Sequence, residues 1–137
     1  MGRIIGIDYG LKRTGLAVTD PLQIIVQGME TQNTMEVMDF IIKYARKENI
    51  DFFVVGYPFL DGEWGDKAFK IKLDNFILEL KKNFQNSEIK LHDERYSSMR
   101  AKEIIYASGV KKMKRQSKEL LDRTSAIVIL QEYLGHI

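Results

Sequence analysis

The stretch RIIGIDYGLKRTGLAVTD, residues 3–20, decides the fold of this chain. Two apolar runs flank a turn that contains a glycine and two cations, a pattern typical of a β-hairpin. Strand alternation places Asp8 on the same face as Ile4, so an acid ends a strand that is otherwise apolar. An ionised carboxylate buried without a partner costs on the order of several kcal/mol. We therefore expect a cation or hydrogen-bond donors beside Asp8.

The rest of the chain predicts a mixed α/β protein with one domain, residues 1–137. A third strand begins near residue 24 and completes an antiparallel meander. Two further strands are predicted, and the uninterrupted apolar run in the first of them favours a central strand parallel to the opening one. Asn33 followed by Glu36 predicts a capping box at the start of the first helix. The two later strands cover residues 51–56 and 89–91, and the helices cover residues 34–48, 66–84, about 97–107 and about 117–134.

Composition limits the kinds of metal site and cellular location that the chain can have. The absence of cysteine excludes disulfides and thiolate metal sites, and two histidines make a histidine-rich zinc site a poor fit. Any metal would be held by oxygen ligands. The N-terminal apolar run is short and is broken by Asp8, which is unlike a signal peptide or a membrane span. We expect a cytoplasmic protein and leave open whether it is a monomer or a dimer.

Positive charge is concentrated in one segment, although the net charge is only +2. Residues 95–118 hold eight lysines and arginines against one acid. A cationic patch of this kind suits a polyanionic partner such as a nucleic acid, and an ordinary solvated loop is the alternative. The candidate substrate-binding residues are Lys12, Arg13, Arg95, Lys111, Lys112, Lys114 and Arg115.

Acids stand at three positions where apolar or neutral residues are expected. Asp8 ends the first strand, and Asp93 and Glu94 both end the fifth. Asp122 lies one turn before Ala126 on the inward face of the last helix. The alternative for Asp122 is an ordinary acid in an early turn of the helix, where the helix dipole stabilises negative charge. If the parallel strands are neighbours, these carboxylates meet at one edge of the sheet and repel unless a cation intervenes. Mg²⁺ or Mn²⁺ fits such a site, which predicts hydrolysis of phosphodiester bonds by a mechanism with two ions.

Four motifs carry a family resemblance that extends over essentially the whole chain. They are GIDYGLKRTGLAVTD at residues 6–20, VVGYP at 54–58 with DG at 61–62, KLHDERYSS at 90–98 and LDRTSAIVILQEYL at 121–134. The chain resembles the YqgF/RuvX family, described as Holliday junction resolvases and as nucleases that mature the 5′ end of precursor 16S ribosomal RNA. The resemblance implies an RNase H-like five-stranded sheet with helices on both faces. It also implies that Asp8, Glu94 and Asp122 are the catalytic, metal-binding acids, which selects Glu94 over Asp93.

Departures from the family pattern concern the substrate side of the site. Tyr57 stands where the family has leucine, Lys72 stands where it has arginine, and the loop before Asp61 is shorter. The expected function is processing of precursor 16S ribosomal RNA, and the alternatives are a Holliday junction resolvase or a nucleic-acid-binding module that does not cleave. The stretch GIDYG also resembles the phosphate loop of actin-like and sugar-kinase ATPases, but those proteins need a much longer chain.

Overall fold

A computed structural model describes residues 2–58, 67–93, 97–107 and 118–137. Over these ranges four short strands are followed by alternating helices and strands and then by two helices. None of the described helices is long and apolar enough to cross a bilayer. The elements are β1 (Arg3–Asp8), β2 (Arg13–Thr19), β3 (Val26–Gly28), β4 (Gln32–Asn33), α1 (Thr34–Lys47), β5 (Ile50–Tyr57), α2 (Lys67–Asn83), β6 (Glu88–Asp93), α3 (Ser97–Ala107) and α4 (Lys118–Tyr133).

The strands form one mixed sheet in the order β3-β2-β1-β5-β6. The β1–β2 and β2–β3 pairs are antiparallel, whereas β5 runs parallel to both β1 and β6. This arrangement confirms the expected three antiparallel strands followed by two parallel ones. The two-residue strand β4 was not predicted; it pairs with the start of β2, where Asn33 lies opposite Arg13.

The start of α1 differs from the predicted capping box. Asn33 is the N-cap residue, but its side chain makes no capping hydrogen bond. Thr34 instead ties the helix to the β1–β2 turn, since its N–H donates to the carbonyl of Lys12 at 3.0 Å and its hydroxyl donates to the carbonyl of Gly10 at 2.6 Å. The predicted cap was wrong because Asn33 is held by the β2–β4 ladder, and the turn that carries Lys12 is anchored as a result.

Two apolar layers cover the two faces of the sheet, as expected for helices on both sides. On one face Ile5 and Ile7 of β1 pack with α1 and α2. On the other face Ile4 and Val54 pack with Ala126, Ile129 and Leu130 of α4. Alternation along the strands therefore assigns each sheet residue to the α1/α2 face or to the α4 face.

Candidate active site

Asp8 lies at the carboxyl end of β1, on the α4 face of the sheet. It is the last residue of the strand, is half-buried, and pairs with Gly15 of β2. Its face follows from the alternation, because Ile4 packs with α4 and a Cβ added at Gly6 would lie 2.5 Å from the side chain of Leu130. The carboxyl ends of the parallel strands β1, β5 and β6 meet at this same edge.

Asp122 reaches the same place from α4, at the other end of the chain. The helix packs so closely on β2 that a Cβ added at Gly15 would lie 2.0 Å from the carbonyl oxygen of Asp122. Gly15 is therefore the strand partner of Asp8 and also the contact point of Asp122. Since Cα atoms of an antiparallel pair are about 4.5–5.5 Å apart, the two acids lie on neighbouring backbone segments.

Arg13 supplies a positive charge to this pair of acids. Its Nε atom lies 3.6 Å from Oδ2 of Asp122, and the two side chains are 32% and 27% exposed. The Nε atom is itself buried and has no hydrogen-bond partner, because 3.6 Å is too long for a hydrogen bond. Arg13 lies two residues before Gly15 on β2, so it shares the α4 face with Asp8. Arg13 thus lies in the strand that neighbours Asp8, and its contact is with Asp122.

The third predicted acid and most of the predicted substrate-binding residues lie outside the described part of the chain. Exposed Lys12 and half-buried Arg13 are the two substrate-binding candidates that the structure describes, and both belong to the β1–β2 connection. Among the described residues there is no group of three or more His, Cys, Asp or Glu side chains able to hold a metal ion. The predicted residues outside the described ranges are Glu94, Arg95, Lys111, Lys112, Lys114 and Arg115.

The alternation of β6 bears on the choice between its two terminal acids. His92 and Lys90 lie on the α4 face, where Lys90 Nζ stands 4.4 Å from the ring centroid of Phe52. Asp93 pairs with Tyr57, which packs against the core of the opposite face. Asp93 therefore lies on the α1/α2 face, away from the face that carries Asp8.

A polar network on the α4 face was not anticipated from the sequence. Oε2 of Glu132 accepts a hydrogen bond from Arg100 of α3 at 2.7 Å, and its Oε1 lies 3.4 Å from Nε2 of His92. His92 is opposite Gly56, one position beyond Val55, which pairs with Ile7. His92 thus shares a row with Asp8 across two strand spacings, roughly 10 Å. The sequence signal was an acid that follows the apolar run of residues 126–130 in the same helix.

Tyr57, which stands where the motif has leucine, is the last residue of β5, and its side chain contacts α2. Its hydroxyl donates a hydrogen bond to Oδ1 of Asp74 at 2.8 Å, and Lys70 Nζ stands 5.5 Å from the centroid of its ring. The substitution therefore adds a polar link on the α1/α2 face at the carboxyl edge of the sheet, beside the acids rather than among them.

Comparison with known proteins agrees with this fold. A family model described as "RuvX: Holliday junction resolvase" matches residues 2–136. A protein of Amoebophilus asiaticus named "Putative pre-16S rRNA nuclease" is 46% identical over 98% of this chain and 95% of its own length. A relative of the same name from Porphyromonas gingivalis is 44% identical over 99% of this chain and 98% of its own length.

Among solved structures, the chain resembles T. thermophilus RuvC in complex with a Holliday junction substrate. The TM-score is 0.62 at 13% identity, and the match covers 98% of this chain and 97% of RuvC. A similarity at this identity concerns the fold, and it confirms the RNase H-like architecture expected from the motifs. With its family match, its relatives and its fold in agreement, the chain belongs to the RuvX family of Holliday junction resolvases.

Proposed function

We propose that residues 1–137 form a single nuclease domain that hydrolyses phosphodiester bonds with the help of divalent metal ions, in the 5′-end processing of precursor 16S ribosomal RNA. The observation that carries the proposal is the meeting of Asp8 and Asp122 at Gly15, at the carboxyl edge of the parallel strands. In open α/β sheets this edge is where ligands bind. The names of the most similar relatives support the RNA substrate.

The third acid of the proposed site is Glu94. Glu94 lies outside the described residues, and the motif KLHDERYSS at residues 90–98 supports it as the third acid. Asp93 is a poor candidate because it lies on the opposite face. We therefore assign catalysis and metal binding to Asp8, Glu94 and Asp122.

The residues at the site suit Mg²⁺ or Mn²⁺. Carboxylate oxygens are the ligands that these ions prefer, and the chain has no cysteine that would favour a softer metal. The Arg13 guanidinium, 3.6 Å from Asp122, supports a site that accommodates positive charge. When bound, the ions would neutralise charge at the scissile phosphate and activate the attacking water.

The cations around the acids would hold the nucleic-acid backbone. Lys12 is exposed on a turn that Thr34 anchors, so its charge is offered from a fixed backbone position. Arg13 could exchange its contact with Asp122 for a phosphate oxygen, since its long ion pair leaves hydrogen-bonding capacity unused. Contacts to phosphate position a strand without reading its sequence, and they make binding weaken steeply with salt. The remaining proposed contacts are Arg95, Lys111, Lys112, Lys114 and Arg115.

Cleavage of a Holliday junction is the second candidate function. It is favoured by the description of the matching family, and the same acids would perform the same phosphodiester chemistry. A module that binds nucleic acid without cutting it is the third. The three candidate functions differ in the nucleic acid that is bound and in whether it is cleaved. They do not differ in the geometry that they require of Asp8 and Asp122.

The deciding experiment compares cleavage of precursor 16S ribosomal RNA and of a four-way DNA junction by the same protein. Metal and salt conditions are kept identical, and Asp8→Asn is the control for contaminating nucleases. Faster metal-dependent cleavage of the RNA, absent in Asp8→Asn, is the expected result. Selective cleavage of the junction would transfer the assignment to the second function. Tight binding of both polymers with no cleavage under either metal would leave only the binding module.

A further inference from the structure

A cavity of about 430 Å³ lies between the β1–β2 turn, the start of α1 and the side of α2. Tyr9, the residue that follows Asp8, lines it together with Leu11 from the same turn. Because Tyr9 belongs to the α1/α2 face, the cavity lies across the carboxyl edge of β1 from the acids. It belongs to none of the roles assigned above, and its size is within the usual range for small-molecule sites.

One wall of the cavity is a fixed aromatic ring. Tyr9 packs against Phe76, with ring centroids 5.0 Å apart, and against Phe69 at 5.8 Å. The wall is therefore an aromatic surface that does not have to be ordered when a ligand binds.

The rim of the cavity is apolar and unusually exposed. Leu11 is 52% exposed and Met35 is 96% exposed, although both are large hydrophobic side chains. The two residues also line a second cavity on their other side, so they form a ridge between two depressions. An exposed apolar ridge beside an aromatic wall is suited to contact with the flat face of a ring.

Polar groups on α2 complete the cavity. Lys72, Asn75 and Glu79 line it, at spacings of three and four residues that place them on one side of the helix. Within the described part of the chain, these three side chains take part in no hydrogen bond or ion pair. An amide both donates and accepts, as the edge of a nucleobase does. The Glu79 carboxylate disfavours a phosphate inside the cavity, whereas Lys72 favours one nearby.

We propose that this cavity binds one unpaired nucleobase of the strand being cut, with its face against Tyr9, Leu11 and Met35 and its edge hydrogen-bonded by Asn75. The inference rests on the proposed nuclease function and refines its substrate class. A strand with its phosphate beside Asp8 would have to turn a neighbouring base across the end of β1 to reach Tyr9. A base held in an intact duplex cannot do this without leaving its stack. The substrate is therefore a strand with unpaired nucleotides next to the cleaved bond.

The test uses the full chain labelled with ¹³C in its methionine methyl groups, in metal-free buffer, and titrated with each nucleoside 5′-monophosphate. Ring currents from a bound base should shift the Met35 methyl resonance, while Met29 and Met38 serve as internal references. Ribose 5-phosphate is the control ligand and should leave Met35 unshifted. Asn75→Ala should weaken nucleotide binding by roughly 2- to 13-fold, the range that corresponds to the net loss of one hydrogen bond. Asn86→Ala, an exposed asparagine in the connection after α2, should bind as the wild type does.

Three results would overturn the inference: no Met35 shift with any nucleotide, an equal shift with ribose 5-phosphate, or equal affinities for the two asparagine variants. Asn75 is exposed, so loss of folding does not complicate its replacement. The titration needs neither metal nor cleavage. If nucleotides bind at Met35 but the protein never cleaves nucleic acid, the nucleobase site stands and the proposed nuclease function fails. If the protein cleaves nucleic acid but no nucleotide binds at Met35, the nuclease function stands and the nucleobase site fails.

Discussion

Replacement of Gly15 by alanine tests the geometry on which the candidate site depends. The added Cβ would lie 2.0 Å from the carbonyl oxygen and 2.5 Å from the carbonyl carbon of Asp122. Both atoms are backbone, so relief to 3.0 Å requires the first turns of α4 to move by about 1 Å against β2. Overpacking of this kind costs about 1–3 kcal/mol, and we expect the upper end because no flexible side chain can yield.

At about 4 °C per kcal/mol for a domain of this size, Gly15→Ala should lower the Tm by roughly 12 °C. A displacement of about 1 Å at a reacting group can cost about 100-fold in rate, so cleavage should fall beyond what the folded fraction explains. Thermal unfolding followed by circular dichroism and cleavage rates measured well below the Tm check the two effects separately.

Gly28→Ala is the matched control. Its Cβ would lie 2.7 Å from Cδ and Cγ of Arg123, which are side-chain atoms on the same helix and can rotate away. We expect a smaller loss of stability and near-normal cleavage. A Gly15→Ala protein with a Tm within about 2 °C of the wild type and full activity would refute the close approach of α4 to β2. Equal losses in both variants would show that Gly15 has no special relation to Asp122.

Three further predictions concern charge. Asp8→Asn, Glu94→Gln and Asp122→Asn should each abolish metal-dependent cleavage while leaving nucleic-acid binding in a gel-shift assay largely intact; a variant that keeps full activity removes its acid from the site. Arg13→Ala should tighten Mn²⁺ binding, measured by calorimetry, because a cation 3.6 Å from a ligand carboxylate repels the metal ion. The same variant should bind nucleic acid more weakly. An unchanged affinity for Mn²⁺ would count against a site that Arg13 and the metal share. Backbone N–H groups, first that of Ile25, donate to Asp20 and lower its pKa, so its stabilisation is present above the unfolded pKa of about 3.9 and is lost as the pH falls through the lower folded value. The Tm values of wild type and Asp20→Ala should therefore differ at pH 7 and converge below about pH 4, and a constant difference would exclude this linkage.

Local patterns were sufficient for most of the secondary structure. The helix expected over residues 34–48 is α1, which ends one residue earlier, and the helix expected over 66–84 corresponds to α2, which ends at Asn83. These segments have apolar spacings that depend only on nearby residues. The failures occurred where a distant strand intervened: β4 exists because β2 is beside it, and that pairing holds Asn33 independently of its side chain.

The candidate site depends on contacts that no local pattern contains. The sequence singled out Asp8 and Asp122 as acids in apolar surroundings, and the motifs added Glu94. The register of the sheet was needed to separate Asp93 from Asp8, because side chains alternate along β6. Tyr9 likewise read as one residue of a turn, whereas the packing of Phe69 and Phe76 makes it the wall of a cavity.

The sequence by itself determined the family, the order and type of every described element except β4, and which acids are candidates for the site, because strand and helix periods and short motifs are written in consecutive residues. Only the tertiary structure decided that Asp8 and Asp122 adjoin one glycine, that Arg13 neutralises the second of them, and that a separate cavity opens beside the first. The physical reason is that strand register and helix packing bring together residues from opposite ends of the chain. The need for glycine at position 15 becomes visible only when the backbone of Asp122 occupies the space that a Cβ would fill.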